Sequence, residues 1–325
     1  MMYPSYMTHL HSGELFRRAE EARRFLTPCR VCPRACGVDR LAGQTGVCGI
    51  GAKATVASAL AHHGEEPGLS GTRGAGTIFF GGCNLRCIFC QNYQISQTDR
   101  SPEFGPEEIA GKMLRLQGEG CHNIDLVSPS HVAPQVLEAI AYAVEKGLTI
   151  PFLYNSNGYD SLDMLHLFDG VADIYLPDLK YGDDSTGTWA SSVDDYVEHA
   201  HAALKEMYRQ VGDVQSDDNG IVRRGLIVRI LVLPDDLARV YDSLVFVAEE
   251  LSTRVWLSIM SQYYPTHRSV GHAQLGRSIA AREYETVLEW LDRLGFENFY
   301  AQGMESVETC RPDFEKDGVF DFGEV

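Results

Sequence analysis

The chain has 325 residues, of which 44% are hydrophobic and 22% charged, and its formal net charge is −17. That composition describes a globular protein with ample core, and the acidity excludes broad contact with nucleic acid, which needs a basic surface. No apolar run is long enough to span a bilayer, so no membrane association is expected. The length suits a barrel-type α/β domain with a small appendage.

The first stretch, residues 1–75, reads as an N-terminal helix followed by a cysteine-rich extension. Its start is Arg-rich but carries Glu14, Glu20 and Glu21 and lacks an apolar core segment, so it matches neither a secretory signal nor a transit peptide. A cytoplasmic protein is expected, and in that compartment nine cysteines point to metal or catalysis rather than to disulfides. Cys29, Cys32, Cys36 and Cys48 fall within twenty residues, among glycines at 37, 43, 46 and 49 that permit tight turns. Four thiolates at this spacing are able to enclose one metal, zinc or an auxiliary iron–sulfur cluster; the alternative is a set of free thiols in a turn-rich lid.

From residue 76 apolar runs alternate with helix-period segments. The strands expected are 77–80, 123–128, 150–155, 172–177, 225–234, 255–261 and 298–301; the helices expected are 106–116, 131–145, 161–168, 192–211, 236–251 and 282–294. Buried strands separated by helices imply right-handed parallel units, about six of them. The fold class expected is therefore α/β, a partial (β/α)6-type TIM barrel over 76–303, with functional residues at the carboxyl ends of the strands. The polar stretch 212–220 reads as a loop. Residues 305–325, with seven acidic and two basic side chains, read as a solvated part of an acidic tail over 304–325.

Directly after the first barrel strand, GGCNLRCIFCQN sets Cys83, Cys87 and Cys90 at C-x3-C-x2-C. Three thiolates on one short loop hold three irons of a [4Fe–4S] cube and leave the fourth without a protein ligand; the alternative is a zinc knuckle or three unrelated buried thiols. Further strand ends carry Ser128 and Ser130 before His131, then Asn155 and Ser156, then Asp178 and Lys180 on one face of their strand, and finally Gln262 and Tyr263. Arg229 is a cation within a buried strand, suited to pairing with Asp178 or with a bound anion. Cys121 and Cys310 stand alone and read as small buried hydrophobes.

This loop, with the aromatic Phe89 just before its last cysteine, resembles that of the radical S-adenosylmethionine (SAM) enzymes. The resemblance implies a [4Fe–4S] cluster on Cys83, Cys87 and Cys90 whose open iron is chelated by SAM, and reductive cleavage of SAM to methionine and a 5′-deoxyadenosyl radical. It also implies flavodoxin or ferredoxin as electron donor. By similarity to the activating enzymes of glycyl-radical proteins, Lys180 would face the methionine carboxylate. Asp178 with Asn155, Ser156 and the Leu176 carbonyl would take a monovalent cation. Where those enzymes carry Gly-Gly-Glu, this chain reads Ser128-Pro129-Ser130-His131, so the two serines would replace the contact to the SAM amino group, with His131 a proton carrier or a first-turn helix residue. Gln262 and Tyr263 would meet the nucleoside or substrate, or Tyr263 would cap the barrel. The strings CPRACGV, SPSH, YNSNGY, DIYLPDLKY and RGLIVR are similar to a subfamily resembling pyruvate formate-lyase activating enzyme, which implies hydrogen abstraction from a protein. A small-molecule radical SAM reaction and a non-enzymatic iron–sulfur carrier are the alternatives.

Overall fold

In the computed structural model, residues 4–98, 101–309, 311–316 and 318–320 are described. Ten strands form one sheet: β1 Ala54–His62, β2 Ala75–Phe80, β3 Glu103–Phe104, β4 Ile124–Val127, β5 Phe152–Asn155, β6 Ile174–Tyr175, β7 Gln215–Ser216, β8 Val222–Leu231, β9 Trp256–Met260 and β10 Phe299–Ala301. Neighbours run β10-β9-β8-β6-β5-β4-β2-β1-β3, with β7 pairing β8 outside that path. From β2 to β10 every pair along the path is parallel and follows chain order. The seven expected strands are thus all present as one curved parallel sheet, the open barrel anticipated from the alternating pattern.

The strands form where they do because both faces are covered. The six residues of β2, AGTIFF, are all buried, as a parallel strand between helices and interior requires. Helices Pro106–Gly118, Ala133–Glu145, Leu162–Leu167 and Ala281–Leu294 match the expected segments within a few residues. The segment expected as a helix over 192–211 is Tyr196–Val211, starting four residues later, and a separate helix that was not expected, Asp184–Ser191, precedes it. Ser192 between them takes a left-handed conformation with φ 56°, which no helix continues through.

Three strands were not legible. β1 is Ala-rich, with Thr55 and Val56 its two β-branched residues, yet it pairs antiparallel with β2 from Val56 to His62. β3 in turn pairs with β1, and the expected loop at 212–220 contains β7, antiparallel to β8.

The N-terminus closes the opposite end of the barrel from the site. Ser5 donates its backbone N–H to Asp173 Oδ1 at 2.8 Å, and the Tyr6 hydroxyl donates to the Ile150 carbonyl at 2.8 Å. Helix Glu14–Arg23 then lies on Ala133–Glu145, with Phe16 edge-on to Tyr142 at 5.0 Å.

The C-terminal segment departs from the solvated tail expected. Phe314 packs edge-on against Phe79 at 5.2 Å, and Phe320 stacks on His62 at 4.0 Å and on Phe79 at 5.7 Å. Gln94 fixes it by donating to Asp313 Oδ1 at 3.0 Å and accepting the Phe314 N–H at 2.9 Å. Its aromatic residues, together with the Asp313 contact, decide where it lies. Cys310 is outside the described residues.

Candidate functional site

The loop after β2 is held on both flanks. Arg86 and Ile88 donate their N–H groups to the carbonyls of Ser191 and Ala190 at 3.1 and 2.8 Å. Gln97 donates to the Cys87 carbonyl at 2.7 Å. Gly82, at φ 71°, is needed where it stands: a Cβ there would meet the Cys48 carbonyl at 2.5 Å, so the upstream segment presses directly on this loop.

Cys83, Cys87 and Cys90 line one cavity of about 190 Å³ together with Gln91, Asn92, Ser128, Asn155, Ser156, Asn157, Asp178, Lys180 and Gln262. Each sulfur has a polar partner. Asn157 Nδ2 donates to Cys83 Sγ at 3.4 Å, Ser191 Oγ donates to Cys87 Sγ at 2.9 Å, and Cys90 Sγ lies 3.2 Å from Ser96 Oγ. The Ser191 hydroxyl is itself 2.6 Å from the Tyr181 hydroxyl. Burial pushes the Cys83 thiol up to about 11 and Cys90 up to about 12, with the neighbouring Cys87 adding to both and Lys180 opposing. Three charges on one dry loop are therefore unfavourable without a counter-charge, and a polynuclear cation such as an iron–sulfur cluster supplies it. The donors already in place around the sulfurs fit that occupant.

Beside the thiols, Lys180 Nζ is 2.5 Å from Asp178 Oδ2. Burial works against the Lys180 charge, but Asp178 and Cys87 outweigh it and hold the ammonium well above its ordinary range. The pair is placed where the strand alternation puts it, on one face and in one pocket.

Of the serines singled out from sequence, Ser128 and Ser156 line this cavity and Ser130 does not. The Ser156 hydroxyl donates to Asp160 Oδ2 at 2.6 Å, while its carbonyl accepts the Asp178 N–H at 2.9 Å; the side chain is engaged with Asp160 and not with the Asp178–Lys180 pair. The side chain of Leu176, whose carbonyl is the group expected near the cation, packs in a separate apolar cluster with Leu153 and Ile174. Ser128 lines the cavity in a left-handed conformation, φ 59°. Ser130 is buried beside Asp160 and Tyr154 and is absent from the cavity wall. His131 is displaced further: its Nε2 is 2.8 Å from the Gly81 carbonyl and it lines the pocket of the upstream cysteines. Tyr263 is also outside the cavity, its hydroxyl on the Leu275 carbonyl at 2.7 Å and its ring 6.0 Å from Phe89; it supports the cysteine loop from behind.

Arg229 takes partners that the sequence did not suggest. Its Nε donates to Glu66 Oε1 at 2.7 Å and its Nη2 to Glu66 Oε2 at 2.8 Å and to Glu65, while Nη1 reaches Asn155 Oδ1 at 3.4 Å. The guanidinium is thus consumed by two carboxylates from the loop after β1 rather than left for a bound anion. Behind them Asp125, buried and held by Thr77 Oγ1 at 3.1 Å, has its carboxyl pushed well above the usual range by burial and by Glu65.

These groups form the floor of a second space. A chamber of about 620 Å³, lined by His62, Glu65, Glu66, Ser258, Gln302 and Tyr300 among others, adjoins the cysteine cavity through Gln91, Asn155, Arg229 and Gln262. Gln262 joins an amide chain at the junction: it donates to Gln91 Oε1 at 3.1 Å and accepts from Gln302 at 3.0 Å. Pro312 and Phe320 of the C-terminal segment line the chamber as well. Gln91 and Asn92 were missed in sequence although they follow Cys90 directly.

Cys29, Cys32, Cys36 and Cys48 line a pocket of only about 10 Å³ with Arg40, Asn84 and His131. Burial pushes Cys32 up to about 12, and raises Cys48 against the pull of Arg40. Arg40 is 1% exposed, donates to the Gly51 and His131 carbonyls at 2.9 and 2.8 Å, and keeps Nη2 without a hydrogen-bond partner among the described residues. Across the described residues, no three or more His, Cys, Asp or Glu side chains are arranged to hold a metal ion.

Comparison with known proteins places this geometry. Residues 77–214 match the radical SAM superfamily. Over 296 residues the chain is 28% identical to an uncharacterized protein of Methanocaldococcus jannaschii, MJ0674, covering 87% of this chain and 80% of that one. HydG, a maturase of the [FeFe]-hydrogenase, shares the fold with a TM-score of 0.51 at 11% identity, over 93% of this chain and 66% of its own. Streptococcus suis SuiB, solved bound to S-adenosylmethionine, gives a TM-score of 0.46 at 10% identity over 68% of this chain and 48% of its own. The chain thus spans about half to two thirds of these solved structures. No described helix is long and apolar enough to cross a membrane.

Proposed function

We propose that this chain, which carries a radical SAM superfamily domain over residues 77–214, cleaves SAM reductively and uses the 5′-deoxyadenosyl radical to abstract hydrogen from a substrate in the adjoining chamber. The carrying observation is that the two spaces adjoin: the cavity of the three thiols, which Asp178 and Lys180 also line, shares Gln91, Asn155, Arg229 and Gln262 with the chamber. A pure electron carrier has no use for that second space.

Cys83, Cys87 and Cys90 would hold a [4Fe–4S] cluster, which when bound supplies an open iron for SAM and the electron for its cleavage. Lys180 positions the methionine carboxylate, and Asp178 keeps the lysine charged and aimed. Asp178 and Asn155, with backbone oxygens nearby, offer oxygen ligands for a monovalent cation. Ser128 lies at the wall where the amino group would be received, and the Gln91–Gln262–Gln302 amides stand where nucleoside and substrate meet. Flavodoxin or ferredoxin would deliver the electron. The four upstream thiols beside the buried Arg40, whose Nη2 has no hydrogen-bond partner among the described residues, offer soft ligands for an anionic metal–thiolate centre, zinc or an auxiliary cluster, and would have to close around it on binding.

The glycyl-radical activase reading, with a protein as substrate, rests on the similarity of the strand-end motifs. A second reading, a small-molecule substrate, is favoured by the chamber itself, because Pro312 and Phe320 cover part of its wall. The test is anaerobic reconstitution with iron and sulfide, reduction with dithionite and addition of SAM. Formation of 5′-deoxyadenosine and methionine supports the proposal; a cluster that never yields 5′-deoxyadenosine with any candidate substrate assigns the protein to electron carriers.

A further inference from the structure

The chamber beside the cysteine cavity carries an uneven set of charges. Its lining holds two carboxylates, Glu65 and Glu66, against one permanent cation, Arg229, and no lysine. Glu66 takes the guanidinium in a fork, from Nε to Oε1 at 2.7 Å and from Nη2 to Oε2 at 2.8 Å, so that pair is neutral and satisfied. Glu65 shares only Nη2 of the same guanidinium, through its Oε2. Its side chain is 7% exposed, and among the described residues its Oε1 accepts no hydrogen bond; His62 Nε2 stands off at 4.0 Å, beyond hydrogen-bond reach. His62 does not supply the missing charge, because burial holds its imidazole below the ordinary range against the pull of Glu65. Lys180, the neighbouring cation, is spent on Asp178. The chamber therefore keeps one covered carboxylate charge that no group around it offsets, and a covered charge is costly until a counter-charge joins it.

The walls near that carboxylate are aromatic. His62 stacks on Phe320 at 4.0 Å, Phe320 lies 5.7 Å from Phe79, and all three line the chamber together with Glu65. A carboxylate next to aromatic rings is a setting that an ammonium group fits: the oxygen receives its N–H, and the rings attract its charge while covering its carbon chain. A substrate anion meets the opposite. Arg229 already donates to Glu65, Glu66 and Asn155, and an added carboxylate or phosphate would stand beside a like charge.

We propose that the substrate of this chamber carries a cationic amino group, which Glu65 Oε1 receives beside the rings of Phe79 and Phe320. The inference rests on the function proposed above, and it adds the charge of the substrate and the residue that reads it. A free amine and the side chain of a lysine in a peptide present the same group, so the test carries both.

The experiment measures equilibrium binding to the reconstituted full chain with SAM present and no reductant, so that nothing is cleaved. The probes are phenethylamine, the neutral phenethyl alcohol, the anionic hydrocinnamate and a short lysine peptide with both ends capped. Phenethylamine or the peptide should bind about tenfold or more tightly than the alcohol, with hydrocinnamate weakest; whichever of the two cations binds better names the source of the amino group. Glu65→Gln, which keeps an oxygen for Arg229, should erase the preference for the cation and leave the alcohol unchanged. Because that variant also touches the Arg229 network, Phe320→Leu supplies an independent arm: it keeps an apolar wall but removes the ring, and should weaken the cation about threefold while sparing the alcohol. The inference is overturned if the alcohol or hydrocinnamate binds as well as the amines, if the preference survives in Glu65→Gln, or if neither cation binds at millimolar concentration. A failure of the function beneath shows differently: a protein that binds amines through Glu65 yet never forms 5′-deoxyadenosine refutes the radical chemistry alone, whereas 5′-deoxyadenosine formation without discrimination among the probes refutes only the cationic substrate.

Discussion

Around Cys83, Cys87 and Cys90 each sulfur has a polar neighbour within reach, and the space in front of them is about 190 Å³ and opens into a chamber of about 620 Å³. Around Cys29, Cys32, Cys36 and Cys48 the space is about 10 Å³, closed by Arg40, Asn84 and His131. Both sets are cysteines at metal-ligand spacing, and the two segments touch at Gly82, yet only one has room for a second molecule. The two sets share a spacing in sequence and differ in the free volume before their sulfurs, which is what a site that takes a second molecule needs. The upstream set lies beside the buried Arg40 guanidinium and meets the loop's flank at Gly82.

The largest effect that sharpens this contrast is metal partition. Replacing Cys83, Cys87 and Cys90 together by Ala should abolish 5′-deoxyadenosine formation, yet elemental analysis after anaerobic purification should still find zinc or iron on the upstream thiols. Adding Cys32→Ala and Cys36→Ala should release that metal and loosen the turn-rich segment, since such sites fold by binding. A triple variant carrying neither metal would make the upstream set a group of free thiols.

Next in size is Lys180→Ala. A charge-assisted contact to a partly desolvated carboxylate contributes roughly 1.5–3 kcal/mol, so SAM affinity should fall about ten- to hundredfold with cluster content unchanged; unaltered affinity in equilibrium dialysis would return Lys180 to a salt bridge with Asp178. Smaller is a pH effect on the N-terminal segment. Burial raises the Asp173 carboxyl to about 6, against the Ser5 hydrogen bonds. The folded state therefore favours the protonated form, and stability should decline by roughly 2 kcal/mol as pH rises from the ordinary carboxylate range through 6, then level off. Asp173→Asn should flatten that slope in denaturant titrations at several pH values.

The smallest effect expected is at Ser191. Hydrogen bonds to cluster sulfurs stabilise the reduced, more negative state, and the Tyr181–Ser191 pair delivers one to Cys87. Ser191→Ala should lower the reduction potential in a redox titration while SAM still binds; an unchanged potential would make the pair a packing feature.

How much of this was legible follows from range. The seven parallel strands declared themselves through apolar runs, and the strand ends carrying the three thiols, Asn155, Asp178, Lys180 and Gln262 do line one cavity. What failed to show were contacts between distant segments. Glu65 and Glu66 sit in a Gly-Glu-Glu-Pro-Gly stretch that looks like a solvated turn, and their burial comes from Arg229, more than 160 residues away. His131 read as a proton carrier in the pocket or a first-turn helix residue; it precedes the helix that starts at Ala133 and lines the upstream cysteine pocket instead. The C-terminal acids suggested solvation, and Phe314 and Phe320 overrule them through Phe79 and His62.

The central claim is that three thiolates leave an iron open toward SAM, and electron paramagnetic resonance of the reduced, reconstituted protein tests it most directly. The signal of the reduced cluster should change shape on adding SAM, in the wild type and equally when Cys32 and Cys36 are replaced, because the responding centre is the one on Cys83, Cys87 and Cys90. A reduced cluster whose signal is the same with and without saturating SAM would contradict the account.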